Sequence, residues 1–445
     1  MRATIRSIDF SALKIGIIIL KIGVFIRIYY NIASASAKFV CDFSSHLLPR
    51  AIILQMKEFK KVAILCDWLT EIGGAEKVLQ SVHEIFPNAP IYTSQYRAKK
   101  AGFKTADVRT GWLNLFPRCL RKFISPLRFF YFSRLDLSEY DLVISIVNAE
   151  SKGVKTRSDA IHTAYLQGPP TQYYWGLYDQ YLENPGFGKL SFLARFGLKL
   201  LIKPMRKKDF NSAQKPDFLV ANSTYVADEI KKYYDREAEI LFPPVDIENI
   251  AKLVSKIAEN DTKRIRKELF DDEDFFVIAG RQASWKRVDL AIWACIELNE
   301  NLLVIGDGAE HERLVKMANG SPNIKFLPKY NGASEIVKYF TSARGFIFPS
   351  LEPFGITPVE SLAARCPVIA LKKGGALDFV KDGKNGIFFD TQNVDDLVKS
   401  IEKFKKMKFD PKTVSNSAND FSKVKFQKQF ESMIEKLTAK KAKDE

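Results

Sequence analysis

Three stretches in the second half of the chain put charged side chains where strands should give way to loops. Gly280-Arg281 follows the apolar run 275–279, and Lys286 comes five residues later. An arginine fork and a lysine point charge in one cleft suit a diphosphate, whose departure they would stabilise. A solvated basic turn reads the same way, since Lys286-Arg287 is also a plain basic pair. The most specific stretch is Glu352-Pro353-Phe354-Gly355-Ile356-Thr357-Pro358-Val359-Glu360. Its two carboxylates straddle a loop-to-helix transition, so one ligand can bridge them. Glu360 can accept bonds from the vicinal hydroxyls of a ribose, while Glu352 and the loop Phe354, Gly355 and Ile356, with its free amides, can address a sugar. A glutamate-rich helix start explains the acids, but not the apolar Pro-Phe-Gly-Ile-Thr-Pro between them.

Glycine turns recur at the same structural position. Gly73-Gly74-Ala75-Glu76 lies between an apolar run and a helix expected over 75–82, where a phosphate could approach amides at a helix N-terminus. A tight turn with no ligand explains two glycines equally well. Gly306-Asp307-Gly308 and Gly374-Gly375 with Asp378 follow further apolar runs. Neither a Gly-x-Gly-x-x-Gly fingerprint nor a Gly-Lys-Ser/Thr phosphate loop is present.

The elements that must position these residues alternate. Short β-type runs at 62–66, 142–146 and 218–221 are separated by stretches long enough for helices, and the series restarts at 275–279, 302–305, 324–327, 345–348 and 368–371. Strand, helix, strand repeated means α/β with parallel sheets, here in two doubly wound, Rossmann-like units. The Phe242-Pro243-Pro244-Val245 joint places the boundary near Val245. The domains are then an N-terminal extension 1–57, a first unit 58–245, a second unit 246–412, and a tail 413–445. Phe426, Phe430, Ile434 and Leu437 in that tail recur at helical spacing and need a surface to cover.

A chain of 445 residues with 46% hydrophobic and 27% charged residues is a multi-domain globular protein, neither a small module nor a disordered one. Five scattered cysteines suggest no disulfide framework, and four separated histidines no metal site, so a reducing compartment and no protein-held metal are expected. The net charge of +16 resides in residues 1–55, 114–134 and 189–208, which carry +5, +5 and +7. Ala12 to Ala37 is apolar but interrupted by Lys14, Lys21 and Arg27. Three readings of the extension stand: translation starting at Met56, a membrane-surface amphipathic anchor, or a spanning helix. Ala33-Ser-Ala-Ser-Ala also leaves a signal peptide open.

Taken in order and spacing, Gly280-Arg281 to Lys286, Gly306-Asp307-Gly308, the Glu352 to Glu360 motif and Gly374-Gly375 with Asp378 resemble the donor domain of glycosyltransferase family 4. Those are retaining enzymes of GT-B fold, two Rossmann-like domains facing a cleft with a C-terminal helix crossing back to the first. Gly73 to Glu76, Leu137 to Ser145 and Ala221-Asn222-Ser223 resemble the acceptor domain, in particular that of bacterial polysaccharide mannosyltransferases. The resemblance spans about residues 58 to 435. It implies that Arg281 and Lys286 clamp the donor diphosphate, that Glu352 is the carboxylate beside the donor sugar, and that Glu360 holds the ribose. Gly73 and Gly74 would approach the donor phosphate from the first domain, with Gly280, Phe354, Gly355 and Ile356 completing the donor site. Gln167 occupies a place where the family often has histidine before an aromatic stretch. Glutamine can hydrogen-bond a sugar but cannot serve as a base near neutral pH. His162 is a further acceptor-side candidate, or an ordinary strand histidine.

The sequence reading is therefore a retaining hexosyltransferase, moving mannose from GDP-mannose to a saccharide or lipid-linked acceptor in cell-surface polysaccharide synthesis, without cofactor or metal. Basic residues among aromatics at 114–134, including Arg118, Arg121, Lys122 and Arg128, and at 189–208 suggest an anionic membrane surface as partner. Solvated helix faces over core aromatics remain the plainer alternative. No nucleic-acid module is present, and a peripheral position on the cytoplasmic face of the membrane is expected. The alternative function is a GT-B-fold nucleotide-sugar-binding or scaffold protein without turnover.

Overall fold

The computed structural model describes residues 59–444 apart from 71–72, 98–101, 118–123, 172–173, 177, 184–190, 272 and 331. The N-terminal extension, and Arg118, Arg121, Lys122 and Lys189 of the basic segments, lie outside the described residues.

Two parallel sheets organise the chain. The first has seven strands: β1 (Val62–Cys66), β2 (Ile91–Thr93), β3 (Val108–Thr110), β4 (Leu142–Val147), β5 (Ile161–Leu166), β6 (Phe218–Ala221) and β7 (Glu239–Ile240). They are ordered β3-β2-β1-β4-β5-β6-β7. The second has six: β8 (Phe275–Ala279), β9 (Asn301–Ile305), β10 (Ile324–Leu327), β11 (Gly345–Phe348), β12 (Val368–Leu371) and β13 (Gly386–Phe389), ordered β10-β9-β8-β11-β12-β13. Central strands such as β4 and β5 are buried at every residue, as a parallel sheet covered by helices on both faces requires.

In each sheet the strand order reverses once, between β1 and β4 and between β8 and β11. Loops leaving the carboxyl ends of those strands diverge and open a crevice. Residues 67–70, 73–74 and 148–151 border the first crevice, and residues 280–286 and 349–352 border the second.

Buried charge fixes the first crevice. Asp67, fully buried after β1, accepts four backbone N–H groups, from Asn148, Ala149, Glu150 and Ser151, at 2.6–2.9 Å. Desolvation, then the Glu150 charge, pushes its carboxyl above the usual range. Glu150 is itself gripped by Arg128 through two nitrogens at 2.8 and 3.1 Å. Arg128 is 2% exposed, so it is an interior counter-ion rather than part of a basic surface, contrary to the sequence expectation; leaving Glu150 unpaired would cost about 3–5 kcal/mol. Nearby, buried Asp209 collects Lys152 at 2.7 Å, the Trp175 indole at 2.7 Å, the Tyr234 hydroxyl at 2.8 Å and Thr171 at 3.1 Å. The described cysteines Cys66, Cys295 and Cys366 are buried and unpaired.

The chain passes between the sheets at Val245, which pairs with Ser422 on the returning segment. The helix Lys423–Asp444 then lies on the first domain. Lys423 pairs with Glu84 at 2.6 Å, Gln427 donates to the Ser81 carbonyl, Phe426 meets Tyr165 edge-on, and Lys441 reaches Asp217 at 2.9 Å. Phe426, Phe430, Ile434 and Leu437 are all buried, which supplies the surface their spacing demanded. Phe430→Ala, at a fully buried position, is expected to destabilise the protein by about 3–5 kcal/mol, measured by denaturant unfolding.

Candidate active site

The second crevice is built by backbone proximity that only glycine permits. Gly306 has φ +112°, and a Cβ there would stand 2.3 Å from the Gly280 carbonyl oxygen; one on Gly308 would stand 2.2 Å from that of Gln282. The loop after β9 therefore lies flat against the loop after β8. Gln282, buried between them, donates to the Gly306 carbonyl at 2.6 Å, and its Oε1 meets His311 Nδ1 at 2.8 Å. This pair ties the loop after β8 to the loop after β9. Nothing in the spacing of Gln282 and His311 signals that role.

Gly280, Arg281, Lys286, Ser350 and Glu352 line one pocket at this edge. A single 3₁₀ turn, Ser284–Lys286, carries Lys286 back over the strand end. Its Nζ lies 2.5 Å from Glu352 Oε1, which also accepts from Ser350 Oγ at 2.7 Å. Arg287, the other half of the basic pair, turns away to Asp289. Arg281 is exposed and has no hydrogen-bond or ion-pair partner among the described residues. The pocket thus offers one uncommitted guanidinium, one ammonium and one carboxylate within a single contour, a set that suits an anion joined to a hydroxylated group.

Gly355, at φ +112°, starts the helix Ile356–Ala363; a Cβ on it would stand 2.9 Å from the Phe348 ring. Glu360 lies one turn into this helix and is contacted from the first domain, Lys77 Nζ standing 2.7 Å from its Oε1. Gly74 opens the helix Gly74–Ile85, and a Cβ there would come 2.8 Å from Ile356 Cδ1, so the two domains meet at these positions. The Gly73 amide donates to Glu76 Oε2 at 2.9 Å. A second bridge joins Thr224 to Asp378, backbone N–H to Oδ2 at 3.0 Å and hydroxyl to Oδ1 at 2.5 Å. Phe354 differs from expectation: its ring is buried against Phe242, Phe379 and Phe421, so only its backbone remains for a ligand.

The acceptor-side candidates separate. Gln167 follows β5 at the carboxyl edge of the first sheet, its carbonyl accepting from Asn222 at 2.7 Å. His162 does not reach the cleft. It is buried near the opposite end of β5, its Nε2 2.9 Å from Ser145 Oγ and its backbone N–H bonded to Asp217. Among the described residues no group of three or more His, Cys, Asp or Glu side chains is arranged to hold a metal ion.

Residues 259–423 match the family model described as glycosyl transferases group 1. Over those residues the second domain is similar to the group 1 glycosyltransferases. A D-inositol 3-phosphate glycosyltransferase of Nocardioides sp. is 28% identical over 214 residues, 42% of this chain and 45% of that protein, so the match spans under half of the relative. The alpha-1,3/1,6-mannosyltransferase alg2 of Schizosaccharomyces pombe is 26% identical over 367 residues, 71% of this chain and 68% of that protein. Anabaena HepE in complex with UDP superposes with TM-score 0.58 at 17% identity, covering 84% of this chain and 99% of that one. The catalytic domain of starch synthase IV from Arabidopsis thaliana, bound to ADP and acarbose, gives 0.61 at 15% identity, covering 85% and 99%. The two domains therefore share the GT-B architecture of two Rossmann-like domains.

Burial holds His162 neutral, lowering its pKa to about 3. The folded state binds fewer protons than the unfolded one between that value and about 6.5, so the stability His162 contributes is complete above pH 6.5 and declines as pH falls towards 3. Acidification from pH 7 to pH 5 is expected to remove about 2 kcal/mol through this group. In His162→Gln, thermal unfolding at the two pH values should show a correspondingly smaller difference.

Proposed function

We propose that the chain is a retaining glycosyltransferase that moves a hexose, mannose from GDP-mannose, onto a membrane-associated saccharide or lipid-linked acceptor. The observation that carries this reading is the pocket uniting Gly280, Arg281, Lys286 and Glu352 within the domain of group 1 type. Arg281 and Lys286 stabilise the departing nucleoside diphosphate, Glu352 accepts hydroxyls of the donor sugar, and Glu360 accepts the ribose. Catalysis is electrostatic and positional, with closure of the domains excluding water. Gln167 stands at the acceptor side as a hydrogen-bonding group. The choice of mannose is supported by the mannosyltransferase relative that spans both domains, and the use of a nucleotide sugar by a fold neighbour crystallised with UDP-glucose.

Incubation with GDP-mannose, UDP-glucose and ADP-glucose, with and without lipid-linked saccharide, should release nucleoside diphosphate from GDP-mannose. Arg281→Ala and Lys286→Ala are each expected to lower turnover by about 100-fold or more while leaving the thermal midpoint unchanged. Wild-type turnover in both variants, or no release from any donor, would overturn the assignment.

The proposed membrane partner is an anionic bilayer on its cytoplasmic face, met peripherally. Among the described residues no helix is long and apolar enough to cross a membrane. The helix Ser191–Ala213 exposes Phe192, Phe196 and Leu200, each more than 60% accessible, beside Arg195, Lys199 and Lys203, while Ile202 and Met205 anchor it to the domain. Apolar side chains inserting among headgroups that the cations attract is the chemistry of interfacial binding. Phe196→Asp is expected to reduce co-sedimentation with phosphatidylglycerol vesicles several-fold without changing nucleotide binding.

A further inference from the structure

Each glutamate of the paired motif is held by a lysine from a different domain. Lys286 sits on Glu352 within the second domain, and Lys77 sits on Glu360 from the first, at 2.5 and 2.7 Å. The two pairs have the same form and flank the same crevice, yet only Lys286 lies in the recognised motif. Lys77 follows Gly73-Gly74 by one helical turn, and Gly74 packs on Ile356 at the start of the helix that carries Glu360. Its side chain is 40% exposed against 20% for Glu360, so it is free to turn while the carboxylate stays in place.

We infer that Lys77 is an exchangeable counter-ion: on entry of a nucleoside diphosphate, the ribose hydroxyls take its place on Glu360 and Lys77 moves to the diphosphate. This rests on the reading of Glu360 as the ribose ligand. A ribose diol that spans both carboxylate oxygens of Glu360 meets Lys77 at Oε1, where the two compete. The displaced ammonium then faces the phosphates, which a nucleotide carries next to its ribose, and a lysine's point charge on a flexible stem suits that short move. The exchange costs little because the pair is partly solvated. Its consequence is that the first domain supplies a third cation beside Arg281 and Lys286, so the cation set around the diphosphate is complete only when both domains contribute. Lys77 also becomes a selector: a nucleoside without phosphates must displace it and gives it nothing in return.

The test is calorimetric titration of wild type, Lys77→Met, Lys77→Arg and Glu360→Gln with guanosine and GDP, and with the uridine and adenosine pairs. For the pair that binds, Lys77→Met should hold the nucleoside about threefold more tightly and the diphosphate about tenfold more weakly, and Lys77→Arg should restore the wild-type order. Equal shifts for both ligands, or none, would leave Lys77 as no more than a contact between the domains and overturn the exchange. Wild-type nucleoside binding in Glu360→Gln would instead overturn the ribose reading itself, and absence of binding by every pair would overturn the glycosyltransferase assignment.

Discussion

A carboxylate largely shielded from water at the edge of a crevice needs a counter-charge, and the arrangement of this protein's cleft follows from that need. Glu352 and Glu360 are each mostly shielded, and each is met by an ammonium. Glu76 meets the Gly73 amide in the same spirit, a negative group satisfying a helix N-terminus. The cleft therefore satisfies its own polar groups internally: cations against the acids Glu352 and Glu360, and an acid against the Gly73 amide. Each of these polar groups thus has a partner without anything bound in the cleft.

The first domain's interior is held by a further set of buried charges. Asp67 ties the end of β1 to the loop after β4 through four amides, and Arg128 with Glu150 and Lys152 with Asp209 hold the surrounding segments. Buried ion pairs are weak sources of net stability, since desolvation offsets most of their attraction, but they tolerate no missing partner. They fix where β1 ends relative to the loop after β4.

What the sequence made legible was local. Runs such as 62–66 and 275–279 announce strands because both faces of a parallel strand are buried, and the Glu352 to Glu360 motif lies within nine residues. β2 and β3, three residues each, and β7, of two, bear no such mark and exist through their neighbours. Pairs across the cleft were invisible: Lys77 and Glu360 stand 283 positions apart, Thr224 and Asp378 154. Composition misplaced Arg128 among surface bases because an arginine's count says nothing of whether a glutamate is waiting in the interior. Phe354 shows the same limit, since an aromatic in a ligand-facing loop can turn its ring to the core and leave only its backbone behind.

The pairing of Val245 with Ser422 has a mechanical consequence. The polypeptide connects the two halves twice, and both connections pass through one point, where Val245 accepts from Lys423 and donates to the Phe421 carbonyl. Two tethers joined at a single spot resist pulling apart and sliding, but leave twisting and tilting about that spot comparatively soft. The machine this describes is a pair of jaws on one pivot, in which the far contacts, Lys77 with Glu360 and Thr224 with Asp378, act as teeth whose engagement is set by an angle alone.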